Sequence, residues 1–219
     1  ISLPSAHSIV NPNRFDDNSN LKYLCAAGVS FMFLAALNKK LRNLKWFQNN
    51  KISEPDILSF LDLVCLGTIC DVVPLIGLNR AIVAQGLKIL KKRSNLGLKT
   101  LYDMCKIQSQ PTTYHVGYLI GPRINAGGRV GKSSYGAELL TSNNSQKAYK
   151  IATELSNYND QRKKIENDLL VCVVEQAEKN LDDSILVLYG ENWHEGIIGI
   201  IASRIKDKYQ KPTIVISIN

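Results

Sequence analysis

Three segments near the end of the chain constrain the fold more than anything else in it. Ser184–Tyr189 is a run of β-branched and aliphatic residues, Ile197–Tyr209 is amphipathic at helical spacing, and Thr213–Ile218 is apolar again. Strand, helix and strand in that order predict a β-α-β unit with parallel, buried strands. Upstream, Ser145 to about Asn180 is charged and favours helix. Leu21–Trp46 is apolar at helical spacing and ends in Lys39, Lys40 and Arg42, cations suited to a helix C-terminus. Its centre, Cys25–Leu37, reads as a buried helix. Ser53 is a plausible N-cap for a second helix that breaks at Gly67, and Leu78–Arg93 forms an amphipathic third. Ser2–Asn20, with Pro4, Asn11-Pro12-Asn13 and Asp16-Asp17, reads as loop and turn. The fold class is α/β.

The chain has 219 residues, 45% of them apolar and 21% charged, with only 14 Gly and 7 Pro. Such a chain buries a real core, so disordered, collagen-like and linker classes are excluded. No apolar run approaches the roughly 18 residues of a membrane span. Five cysteines form an odd set with no CxxC pair. They are expected to be reduced core residues of a cytoplasmic protein, neither a disulfide framework nor a zinc site. The chain opens at Ile1 without an initiator Met or signal segment, and is expected to be a piece of something larger.

The net charge is +8, and it is unevenly placed. Ile76–Tyr135 holds ten basic residues against the single acid Asp103, which leaves the remainder close to neutral. Codon bias toward Lys would spread the excess along the chain. Clustering instead indicates a polyanion-facing patch that neutralises phosphates.

Three places carry chemistry. In GTICDVVPL, Asp71 stands between apolar stretches, where an unpaired buried carboxylate is costly; it is a helix cap, a salt-bridged acid or a hard-oxygen ligand for a divalent metal. In GPRINAGGR, a glycine-rich loop presents Arg123, Asn125 and Arg129, residues suited to phosphate contact. The overlapping AGGRVGKS is a relaxed match to a nucleotide-binding P-loop, with Lys132 and Ser133 in the right slots. It lacks the preceding strand that a P-loop needs. In YGENWHEGIIGIIASR, His194 and Gly196 fall between the first strand and its helix, where α/β units gather anions. His7 and His115 have no such context and read as surface or structural residues.

The blocks LPSAHSIVNPNR, AAGVSFMFLAAL, LDLVCLGTICDVVPL, YLIGPRINAGGR and ENWHEGIIGIIASRI, in that order, resemble the RecJ single-stranded-DNA exonucleases of the DHH phosphoesterase superfamily. The resemblance implies residues 1–76 as the C-terminal part of a DHH α/β domain, 77–95 as a connecting helix and 96–219 as an incomplete DHH-associated α/β domain. It implies metal-dependent 5′→3′ phosphodiester hydrolysis on single-stranded DNA, in DNA repair and recombination, with Mn2+ or Mg2+. Asp71 matches a metal-ligand aspartate, Arg123, Asn125 and Arg129 a substrate-phosphate loop, and His194 and Gly196 the strand-to-helix motif. Glu195 replaces the proline usual after the Trp-His pair. The family's aspartate-rich and Asp-His-His motifs and its OB-type domain are absent, so an inactive internal fragment is expected. The alternatives are an oligonucleotide or cyclic-dinucleotide phosphodiesterase of the same superfamily, and a non-catalytic nucleic-acid-binding remnant.

Overall fold

The computed structural model describes residues 3–218; Ile1, Ser2 at the head of the expected loop, and Asn219 lie outside the described residues. Contacts divide the chain into two compact units. The first comprises Ile1–Asn95 and Tyr102–Gly121, the second Leu96–Leu101 and Pro122–Asn219.

The first unit is helical. Its elements are α1 (Ala26–Asn43), α2 (Trp46–Asn49), a 3-10 turn (Ile57–Phe60), α3 (Leu61–Cys70), α4 (Gly77–Lys91) and a π-helical turn (His115–Ile120). Helix α1 starts later than its apolar pattern suggests. Cys25 is the N-cap, its Sγ accepting the Gly28 N–H at 3.4 Å, and residues 21–25 form the turn that delivers the chain to it. Nor is α1 buried throughout: Met32, Phe33, Leu34 and Leu37 all face outward, while Gly28 and Asn38 are buried and Val29 and Phe31 pack against the core.

Ser53 is not a cap. Glu54 beside it is drawn to Asn38 Nδ2 at 2.8 Å and to the Arg42 guanidinium on α1, so helical structure begins after Asp56, whose Oδ1 accepts the Leu58 N–H at 3.1 Å. Helix α3 also runs through Gly67 instead of breaking there. A Cβ at Gly67 would stand 2.8 Å from the Ala27 Cβ, so the glycine lets α1 and α3 approach. Residues 77–95, expected as a connecting helix, form α4 and the turn after it. Helix α4 buries Ile82, Val83, Gly86 and Leu90 within this unit, while Lys88, Lys91 and Lys92 face water as their spacing predicts. The core joins Leu24, Leu61, Val64 and Ile82.

Helix α5 (Leu96–Met104) is followed, after the π turn, by α6 (Gly121–Val130), α7 (Tyr135–Leu140), α8 (Ser145–Glu178), β1 (Leu186–Glu191), α9 (Glu195–Tyr209) and β2 (Thr213–Ile218). The charged segment becomes the 34-residue α8, and Asn144 caps it by accepting the Lys147 N–H at 2.9 Å. The β-α-β unit forms as expected: β1 and β2 pair in parallel from Leu186↔Thr213 to Glu191↔Ile218. Leu169, Val173 and Ala177 of α8 pack on Leu186 and Leu188 of β1 and on Ile197, Ile201 and Ile205 of α9.

The expectation of buried strands needs correction. Val187, Tyr189, Ile214, Ile216 and Ile218 are all exposed, because helices cover one face of the sheet only. The backbone of β1 is engaged at Tyr189 by Gln176 of α8, which accepts the Tyr189 N–H at 2.8 Å and donates to its carbonyl at 3.1 Å.

Among the described residues, two carboxylates, Glu166 and Asp62, are deeply buried. Glu166 of α8, 1% exposed, bridges Arg162 at 2.5 Å and Arg204 of α9, and Arg162 also reaches Asn159 Oδ1 at 3.3 Å. This pins α8 to α9. Asp62 of α3, 4% exposed, accepts the Leu63 N–H at 2.7 Å; burial holds its pKa above the usual carboxylate range. No described helix is long and apolar enough to cross a membrane.

Candidate nucleic-acid phosphate site

The segment carrying Arg123, Asn125 and Arg129 is not the expected glycine-rich loop but helix α6. Two local features explain it. Pro122 sits in the first turn, where its fixed φ suits a helix and its missing N–H costs nothing. The intrinsic helix penalty of glycine is offset by packing: side chains at Gly121 and Gly127 would collide with Cys70 Sγ and the Lys132 carbonyl respectively.

Helical geometry then sorts the three candidates. Asn125 and Arg129, four residues apart, share one exposed face, whereas Arg123 projects elsewhere and is half-buried. The P-loop match also falls within this helix and its end, so no phosphate-cradling loop exists there. Lys132 instead lies over the Tyr135 ring at 5.3 Å.

In the same unit, β1 delivers the chain to α9 through Trp193 and His194. His194 is the N-cap: its Nδ1 accepts the Gly196 N–H at 3.1 Å and its carbonyl accepts the Ile197 N–H at 2.8 Å. Glu195 occupies the first turn of α9, where a carboxylate favours the helix macrodipole. Gly196 meets α6 directly. Arg129 donates from one guanidinium nitrogen to the Gly196 carbonyl at 3.1 Å, and the Arg129 carbonyl lies where a Gly196 side chain would begin. Arg129, His194 and Gly196, with Asn125 on the same helical face as Arg129, thus come together at the start of a 15-residue helix. One guanidinium nitrogen is spent on the protein, which orients the remaining donors without neutralising the charge.

Asp71 belongs to the first unit. It is the C-cap residue of α3, with its N–H donating to the Gly67 carbonyl at 2.9 Å, and it is exposed. The premise of a costly buried carboxylate is therefore corrected: α3 ends at the surface and turns there. An exposed carboxylate is a sound hard-oxygen donor for Mg2+ or Mn2+. Among the described residues, however, no three His, Cys, Asp or Glu side chains cluster to hold an ion. One donor does not make the centre.

His7 is exposed and His115 partly so; Nδ1 of His115 accepts the Thr112 N–H at 3.2 Å, a local turn contact. Cys25 and Cys65 are buried and reduced as expected, but Cys172 is exposed on α8. The sequence reading passed over Tyr114 and Tyr118, an exposed stacked pair, and the buried Glu166 with its arginines. Both were signalled by i,i+4 spacing.

A parallel strand–helix–strand unit with an arginine held at its strand-to-helix junction defines an α/β protein. No protein-family model matches the chain. Curated relatives do. The chain is 37% identical over 220 residues to the single-stranded-DNA-specific exonuclease RecJ of Dickeya dadantii, covering 97% of this chain and 38% of that protein. It is 32% identical over 191 residues to the RecJ of Thermus thermophilus. The crystal structure of RecJ in complex with Mg2+ from Thermus thermophilus superposes with a TM-score of 0.75 at 32% identity, covering 87% of this chain and 28% of that one. The chain is homologous to the RecJ single-stranded-DNA-specific exonucleases. It spans 38% of the length of the first of these relatives.

Proposed function

We propose that this chain is the part of a RecJ-type exonuclease that holds the phosphates of single-stranded DNA while a divalent-ion centre cleaves the 5′ end. The observation that carries this reading is the meeting of Arg129, His194 and Gly196 at the N-terminus of α9, on residues homologous to proteins named for that substrate. A phosphodiester oxygen there would meet the oriented Arg129 guanidinium and the Asn125 amide, with the α9 dipole adding positive potential. Arg123, half-buried, serves the same backbone from a second direction.

Asp71 would contribute one carboxylate to a Mn2+ or Mg2+ centre, which, when bound, would supply Lewis-acid chemistry to the hydrolysis. Residues 1–76 belong to the DHH domain under this reading, and the β-α-β unit to the associated domain. The enzyme acts in DNA repair and recombination in the cytoplasm.

Gel-shift titration of the chain with a single strand and with its duplex tests the binding half: preference for the single strand is expected, and equal or weaker binding contradicts it. In the protein that carries this chain, Asp71→Ala should abolish nucleotide release while leaving DNA affinity within about twofold, because the cationic residues supply the affinity. A parallel loss of both would contradict that division.

A further inference from the structure

In the first unit, one surface concavity combines three features with no role in the phosphate site. Tyr114 and Tyr118 are stacked with ring centroids 5.2 Å apart and planes 27° apart, yet they are 59% and 72% exposed. They project from the π-helical turn His115–Ile120 and its entry, an irregularity that often marks functional positions. Val72 lines the same concavity, 86% exposed and held at φ +54°, a left-handed conformation disfavoured for a β-branched residue. Together with Ile69, Cys70 and Gly117 these residues line a concavity of about 370 Å³. Cys70 and Val72 are the residues on either side of Asp71.

We propose that Tyr114 and Tyr118 form a stacking platform for a nucleobase of the strand whose backbone reaches Asp71. The proposal rests on the single-stranded-DNA reading above. Each tyrosine covers one face of the other, so an outer π-face remains open, and a flat base fills an apolar-walled concavity of this size better than a phosphate would. Charge favours the same occupant: the first unit holds thirteen Lys and Arg against seven Asp and Glu, which attracts a polyanion. A stack contacts every base alike, so the platform adds affinity for unpaired strands without sequence preference. The purely local alternative, an i,i+4 aromatic pair that supports its own helical turn, accounts for the stacking. It accounts neither for the exposure nor for Val72.

The test compares an oligothymidylate with an abasic oligomer of the same phosphate count, titrated against the unmodified chain, Tyr114→Ala, Tyr118→Ala and Tyr118→Phe. The platform predicts that Tyr118→Ala weakens oligothymidylate binding by about 5- to 150-fold, the range typical of one lost base–aromatic stack. Abasic binding should be unchanged, and Tyr118→Phe should behave as the unmodified chain. Equal losses on both oligomers, or no loss on either, overturn the platform. If the unmodified chain binds both oligomers equally well, the single-strand reading stands and the platform falls; if it binds neither, both fall. Should an alanine variant fail to fold, photo-cross-linking of a 5-iodouracil strand to the unmodified chain decides. Adducts at Tyr114 or Tyr118 support the platform, and adducts confined to other residues refute it.

Discussion

Arg129 and Gly196, sixty-seven positions apart, hold each other through two opposed contacts: the guanidinium donates to the Gly196 carbonyl at 3.1 Å, and the Arg129 carbonyl fills the space a side chain at 196 would need. The same two residues join α6 to the start of α9 and point a cation at the helix N-terminus. The packing of this junction, and with it the proposed phosphate site, therefore depends on one glycine.

That dependence is measurable against a neighbour. Gly196→Ala should lower stability by about 1–3 kcal/mol, as overpacking against backbone does. Gly199→Ala, in the same helix with nothing within 4 Å of its missing Cβ, should raise it by about 0.4–1 kcal/mol. Urea denaturation of both variants gives the comparison; shifts of the same sign would contradict the close approach.

The buried carboxylate of α8 gives a larger effect. Glu166→Ala leaves the half-hidden Arg162 without its 2.5 Å partner and releases Arg204. A loss of about 3–5 kcal/mol is expected, the usual consequence of breaking a buried pair from one side. Glu138→Ala, which releases the exposed Lys147 pair at 3.6 Å and the exposed Ser134 hydroxyl at 2.9 Å, should cost less than about 1 kcal/mol.

Asp62 supplies a pH dependence of known sign. Burial raises its folded pKa above the unfolded value of 3.8, so between the two values the folded state binds more protons than the unfolded state. Its contribution to stability is complete at pH below 3.8 and is lost as pH rises through the folded value. Asp62→Asn should therefore raise the thermal midpoint at neutral pH and remove this part of the pH slope. A lower midpoint at neutral pH, with the slope retained, would contradict it.

Much of the fold was legible in the sequence, and the exceptions share a cause. The β-α-β unit and α8 announce themselves through local periodicity, which is all a pattern contains. The helix α6 does not, because five glycines and a proline within Gly117–Lys132 look like a turn until Cys70 and the Lys132 carbonyl are seen to occupy the missing side-chain space. Gly67 misleads in the same way, its reason being Ala27, forty residues earlier. For the site, residue types at Arg129, His194 and Gly196 were readable, but their meeting required the tertiary fold. Asp71 was placed correctly between its apolar neighbours and wrongly inside the core, since sequence does not show where a helix surfaces.

Cysteine reactivity follows burial. Desolvation pushes the Cys65 thiol up to about 12 and that of Cys70 to about 11, so almost no thiolate exists near neutral pH, while Cys172 is exposed on α8. Iodoacetamide should modify Cys172 in the native chain and reach Cys65 and Cys70 only after denaturant is added. Native-state labelling of Cys65 ahead of Cys172 would contradict the packing of α3 against α4.

The most direct test of the account is the salt dependence of single-strand binding. Log affinity should fall with log salt at about −0.7 per phosphate contact, and Arg129→Ala should make the slope shallower by about that amount. Lys91→Ala and Lys92→Ala should barely change it, because those lysines lie on the solvated end of α4 where screening is strong. A strand bearing a 5′-phosphate should bind the unmodified chain more tightly than one ending in hydroxyl, and Arg129→Ala should erase the difference. Equal, small effects from all three substitutions, with no preference for the phosphorylated end, would contradict a phosphate site at Arg129, His194 and Gly196.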